Sequence, residues 1–269
     1  ILSLIFSASF IHQRSEMAAE NTGFVRTETI EGATHITFAH PAHNSLPGHL
    51  LAELSKAIEW AGEAAATKVL VFRSGGDRTF CAGASFDELA AIRDEQQGKQ
   101  FFSGFAGVIN AIRRCPKIVI GRIQGRAVGG GVGLAAAVDY ALATHFSTIR
   151  LSELAIGIGP FVIGPAVERK IGLSAFSKMS LTPTEWQTAE WARDRGLYHE
   201  VFPDIAQMDA YLGDLCQKLA SYHPQAIADM KKMFWQGADH WDQLLEERAA
   251  VSGRLVLSDF TQEAIRKIR

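Results

Sequence analysis

Residues 125–133 read Gly-Arg-Ala-Val-Gly-Gly-Gly-Val-Gly. The run follows an apolar stretch at 117–123 (KIVIGRI) with the length of a buried strand, and it leads into a helical segment over 130–138. Each glycine in a first helical turn costs about 1 kcal/mol relative to alanine. A run of them signals that something must approach the backbone N–H groups closely. A helix N-terminus offers unpaired donors and a partial positive charge, which suits an anion or a developing oxyanion. Close strand-to-helix packing is the competing use. Residues 131–136 also fit G-x-G-x-x-A, with Glu153 near the distance of a ribose-binding acid, so spacing alone leaves dinucleotide binding open.

Working outward, residues 34–40 (THITFAH) read as a strand ended by Pro41, and 68–73 (KVLVFR) as a buried strand before Ser74-Gly75-Gly76. Between them, Leu50, Leu51, Leu54, Ile58 and Ala61 have helical spacing over 47–64. Residues 86–113 predict one long helix, and 140–144 and 148–151 two short strands. Strands and helices alternate over about 24–160, which argues an α/β architecture. After Gly164 the pattern turns helical, at 164–171, 174–180, 183–195, 207–220, 223–238 and 241–251, with no strand expected. Such a helical third is expected to pack on a neighbour or a partner chain.

The chain has 269 residues, 47% hydrophobic and 21% charged, with a net charge of −2. These values fit a soluble globular protein and give no overall attraction to nucleic acid or an anionic membrane. Cys81, Cys115 and Cys216 are odd in number and widely spaced, which reads as reduced thiols in a cytoplasmic protein, with no disulfide framework or zinc site. The apolar run at 1–11 (ILSLIFSASFI) is too short to span a bilayer and has no basic segment ahead of it. Met17 opens a natural start, so 1–16 is expected to be an upstream extension without a role in the chemistry, with a targeting remnant as the alternative.

Two further segments can carry chemistry. Phe80-Cys81-Ala82-Gly83-Ala84-Ser85 follows a strand and a glycine turn, and its small residues let the backbone approach a ligand; a tight connection is the alternative. In Leu151-Ser152-Glu153-Leu154-Ala155-Ile156-Gly157, Glu153 stands at a strand end among apolar neighbours. Such surroundings raise a carboxyl pKa and suit a base working near neutral pH; an exposed loop glutamate is the alternative. His40 and His43 stand three apart near His49, but no third ligand or helical context supports a metal, and they read as capping or surface groups. No G-x-S-x-G, P-loop or H-E-x-x-H motif occurs.

Taken together and in order, these segments resemble the enoyl-CoA hydratase/isomerase (crotonase) superfamily. Residues 79–84 (TFCAGA) resemble its first oxyanion loop, 125–133 its G-x-A-x-G-G-G loop, and 152–160 (SELAIGIGP) its P-E-x-x-x-G-x-x-P segment. Residues 36–46 (ITFAHPAHNSL) are similar to its opening motif, 189–201 (AEWARDRGLYHEV) to its A-x-x-A-x-x-x-G-L stretch, and 225–232 with 247–265 to its C-terminal helices. The likeness runs over about residues 23–268. Six ordered segments outweigh the single dinucleotide fingerprint.

The resemblance implies a crotonase-like spiral of ββα turns over 23–205, a C-terminal helical oligomerisation region at 206–269 and an N-terminal extension at 1–22. It implies an acyl-CoA thioester as substrate, with no metal and no cofactor beyond that coenzyme A, and a homotrimer or dimer of trimers. The N–H groups of Ala82 and Gly130 are expected to form the oxyanion hole, Glu153 to be the catalytic carboxylate, and Ala84, Gly129, Gly131, Gly133 and Phe161 to contact substrate. Hydratases of the family carry a second glutamate two residues after the glycine triplet, where this chain has Gly133. The departure points to double-bond isomerisation, which needs one base. Ser85 replaces a common aspartate, and residues 161–164 (FVIG) replace a glycine-rich run. The wording also resembles methylglutaconyl-CoA hydratase-like proteins, so hydration, with a substrate carboxylate, Asp87 or Glu88 assisting, is the alternative. Non-catalytic acyl-CoA binding is another. RNA binding through a lysine-rich helix, known among crotonase relatives, is disfavoured because residues 47–66 carry only Lys56.

Overall fold

Burial on both faces marks the central strands. In the computed structural model, which describes residues 22–268, β3 (Val69–Ser74) and β5 (Ile118–Ile123) are almost wholly enclosed. Their continuous apolar runs are what a parallel sheet covered on both sides requires. With β1 (Phe24–Ile30), β2 (Ala33–Ala39), β7 (Tyr140–Thr144) and β9 (Glu200–Phe202) they form a six-stranded sheet in the order β1-β2-β3-β5-β7-β9. Only the β1–β2 pair is antiparallel. A second, three-stranded parallel sheet joins β4 (Thr79–Cys81), β6 (Arg126–Val128) and β8 (Ile149–Arg150).

Helices cover these sheets. α1 (Gly48–Glu63) buries the predicted stripe of Leu50, Leu51, Leu54, Ile58 and Ala61. The stretch expected as one helix over 86–113 is two: α2 (Phe86–Ala91) and α3 (Glu95–Arg114). Each half has its own N-cap. Ser85 Oγ accepts from Glu88 N, and Asp94 Oδ1 accepts from Gln97 N at 2.8 Å. α4 (Gly130–Ala137) is short and buried.

The C-terminal third holds α5 (Gly164–Leu181), α6 (Ala189–Asp194), α7 (Ile205–Ser221), α8 (Pro224–Phe234), α9 (Trp241–Leu255) and α10 (Asp259–Ile268). α5 is two helical stretches that meet at Gly172, whose backbone (φ 74°, ψ 159°) is not helical, in keeping with the two helices expected over 164–171 and 174–180. Contrary to expectation this third also contributes a strand, since β9 pairs with β7. Of 183–195 only Ala189–Asp194 is helical, capped by Thr188. α9 lies on α3 with glycines in contact: a methyl on Gly98 would sit 2.6 Å from the Gly253 backbone. α8 is tied down by a buried pair, Lys231 Nζ to Asp139 Oδ2 at 2.8 Å, while Trp235 Nε1 donates to Asp139 Oδ1 at 2.9 Å. The cysteines are buried and unbridged. No helix among the described residues is long and apolar enough to cross a membrane. The reading of residues 1–16 lies outside the described residues.

Candidate active site

All three strands of the smaller sheet end at one cleft. Ala82-Gly83-Ala84 follows β4, Gly129-Gly130 follows β6, and Ser152-Glu153 follows β8. Parallel strands present their carboxyl ends together, which gathers three loops that lie far apart in sequence. The cleft spans about 640 Å³, a figure that includes the open solvent at its mouth. Phe86, Phe102, Phe105, Ile156, Ile158 and Phe161 form much of its wall.

The first loop leans on the second. Gly83 has φ 92°, and a methyl there would sit 3.0 Å from Val128 O and 3.5 Å from Gly130 N. Glycine is therefore needed both for the backbone angle and for the approach. Leu46 clamps this loop, donating from its N–H to Gly83 O (2.8 Å) and accepting from Ser85 N (3.2 Å). The Ala84 N–H between these bonds has no acceptor among the described residues. The Ala82 N–H, expected as an oxyanion donor, instead donates to His43 O at 3.2 Å. The free donor of this loop is Ala84.

The second loop opens α4. Gly129 is its N-cap, at φ 51° and ψ −117°. Its carbonyl accepts from Val132 N and Gly133 N, and the Gly130 N–H has no acceptor among the described residues. Gly130 lines the cleft. Gly131 and Gly133, expected to contact substrate, do not line it. They are buried in the helix: a methyl on Gly131 would overlap Cys81 O, and one on Gly133 would overlap the side chain of Ile163. Both are packing glycines. The dinucleotide reading fails with them, because the phosphate-cradling positions it needs face inward.

Glu153 opens a 3-10 turn (Glu153–Ile156) rather than ending a strand. Gly157, in the left-handed region at φ 80°, closes the turn, and Ile158 N donates to Glu153 O at 3.0 Å. The residue as a whole is partly exposed, but its carboxyl end is enclosed: Oε2 is out of contact with solvent and has no hydrogen-bond partner among the described residues. Burial pushes its pKa up to about 7. The carboxylate faces the cleft beside Gly129.

Other titratable groups do not join it. Glu88 Oε2 accepts from Gly48 N at 2.7 Å and so caps α1, and neither Glu88 nor Asp87 lines the cleft. Burial pushes the Cys81 thiol up to about 12, which leaves it no nucleophile. His40 Nδ1 accepts from Ala42 N within its own turn. Among the described residues no cluster of three or more His, Cys, Asp or Glu could hold a metal ion. Ala84 and Phe161, expected to contact substrate, line the cleft. Phe102 and Phe105 of α3 and Ser252 of α9 line it too, and nothing in their own segments signalled that.

Residues 28–267 match the family described as Enoyl-CoA hydratase/isomerase. Peroxisomal Delta(3,5)-Delta(2,4)-dienoyl-CoA isomerase of Arabidopsis thaliana is 25% identical over 258 residues, 90% of this chain and 91% of that one. Mitochondrial methylglutaconyl-CoA hydratase of Rattus norvegicus is 30% identical over 200 residues, 73% of this chain and 63% of that one. Among solved structures, an enoyl-CoA hydratase from Bacillus halodurans shares the fold, with a TM-score of 0.84 over 91% of this chain and 99% of that one at 21% identity. An enoyl-CoA hydratase from Mycobacterium avium gives 0.80 over 91% and 95% at 27% identity.

Proposed function

Because the chain belongs to the enoyl-CoA hydratase/isomerase family, we propose that it moves the double bond of an enoyl-CoA thioester, with Glu153 as its single acid–base group. The thioester oxygen sits between the N–H groups of Ala84 and Gly130. Proton loss at the carbon next to a thioester places enolate charge on that oxygen, and one such fixed donor is worth about 2.7–4 kcal/mol in other enzymes. Glu153, ionised, takes the proton from C2 of a 3-enoyl chain. The electron pair spreads over the oxygen and C4, and the same carboxyl group returns the proton at C4. The product is the conjugated 2-enoyl thioester, and no other atom is gained or lost. A base of pKa about 7 is matched to this two-way transfer near neutral pH.

The observation that carries this reading is that Glu153 is the one carboxylate among the described residues lining the cleft. The place of a second is taken: Ile163 fills the space beside Gly133. Hydration is the second reading, favoured by the 30% identity to methylglutaconyl-CoA hydratase. It requires Glu153 alone to deprotonate a water and to deliver a proton. The two part on a paired assay, in which a 3-enoyl-CoA is followed for the absorbance of the conjugated thioester and a 2-enoyl-CoA for the hydroxyacyl product. Appearance of the former, lost in Glu153→Gln, supports isomerisation. Appearance of the latter supports hydration. Binding of acyl-CoA with neither product supports a non-catalytic binder.

We carry over assembly as a homotrimer or pair of trimers. The exposed Leu173, Leu181 and Met233 of the C-terminal helices support it, and light scattering on the purified protein tests it.

A further inference from the structure

We propose that the cleft takes an acyl chain that is neutral and apolar along its whole length, and that it refuses a chain ending in a carboxylate. This rests on reading the cleft as an acyl-CoA site. Its lining holds no lysine, arginine or histidine among the described residues. The one ionisable side chain is Glu153, whose charge, when present, repels a second anion. The remaining polar side chains are the hydroxyls of Ser152 and Ser252, neither of which carries a compensating charge.

The apolar wall is built in by the same contacts that shape the site. The Phe105 ring lies against Gly130 so closely that a methyl there would overlap it, and a methyl on Gly159 would sit 2.6 Å from the Phe161 ring. Aromatic faces thus stand beside the free donor of α4 and beyond the Glu153 turn. Two buried cations elsewhere are committed: Arg122 makes a two-point contact with Asp209 (2.6 and 2.8 Å), and Lys231 is spent on Asp139 and on Lys117 O. A carboxylate entering this cleft loses its hydration and gains no partner, which is strongly unfavourable. A hydrocarbon of the same length loses nothing by the exchange and buries apolar area.

The test is binding of a matched pair, hexanoyl-CoA against the mono-CoA thioester of adipic acid, by calorimetry on the full chain. The expected result is that the neutral thioester binds at least about 30-fold more tightly. Equal or tighter binding of the adipoyl thioester overturns the proposal, as does binding of neither. A Phe161→Arg variant supplies the missing cation and is expected to narrow the ratio at least about 10-fold. Turnover is scored separately with the corresponding 3-enoyl pair. A retained binding preference without Glu153-dependent turnover overturns the isomerase reading and leaves the substrate class standing.

Discussion

The Glu153 carboxylate lies over the backbone of Gly129, so closely that a methyl group on that glycine would sit 2.8 Å from Oε1. The cap of α4 and the proposed acid–base group are thereby fixed against each other. The residue whose carbonyl anchors the first turn of the helix also forms the floor under the carboxylate.

Gly129→Ala follows from this contact. The added methyl displaces the carboxylate and must occupy a backbone conformation with φ 51°. A small misplacement of a reacting group costs about 100-fold in rate, and strain of this kind about 1–3 kcal/mol in stability. Steady-state kinetics should show that loss in kcat/KM. A thermal melt should still show a cooperative transition, at lower temperature.

With Glu153 as the proposed base, the acid limb of the pH profile should follow its ionisation. Only the ionised form accepts a proton, and burial holds its pKa up at about 7. The expected kcat/KM falls tenfold per pH unit below about 7 and flattens above it. A limb at the ordinary glutamate pKa of about 4.3 would show that the base is elsewhere or is solvated.

The same burial makes Glu153 a stability cost. Above pH 7 it is ionised in both the folded and the unfolded chain, and the folded form carries the desolvated charge. Below about pH 4.5 it is protonated in both, and the cost disappears. Between these limits the folded state binds more protons, so this group's contribution falls as pH rises. Urea unfolding should find Glu153→Gln more stable than wild type at pH 8, by up to about 3 kcal/mol, and equal to it at pH 4.

Gly133 tests the closed second position. A side chain there meets Ile163, the residue preceding α5. Gly133→Ala should lose about 1–3 kcal/mol in urea unfolding, as overpacked cores do. Gly133→Glu should yield no hydration product, because the space a second carboxylate needs is occupied.

How far the site was legible turns on what each signal encodes. The glycine run after an apolar strand marked the start of α4, and Gly130 with it, since such a run is costly in a helix without a purpose. It did not separate Gly129 and Gly130, at the cleft, from Gly131 and Gly133, which the helical turn carries inward. Ala82 and Ala84 look alike in sequence. Which N–H remains free is decided by His43 O and by the Leu46 clamp, some forty residues upstream. Glu153 was legible from its apolar neighbours. Phe105 was not, because its place on α3 reads only as core until α3 meets α4. The parallel α/β pattern was readable from the apolar runs of β3 and β5. β1 is exposed along most of its length and β9 has three residues, so neither leaves a periodic signal. The break between α2 and α3 had a signal in Asp94, a good N-cap inside an otherwise helical pattern.

The most direct measurement is mass spectrometry of a 3-enoyl-CoA incubated in heavy water with wild-type protein and with Glu153→Gln. Wild type should form a 2-enoyl product that differs from the substrate only by exchanged deuterium, and the variant should not. A product heavier by one water, or exchange that persists without the Glu153 carboxylate, would contradict the proposed isomerisation.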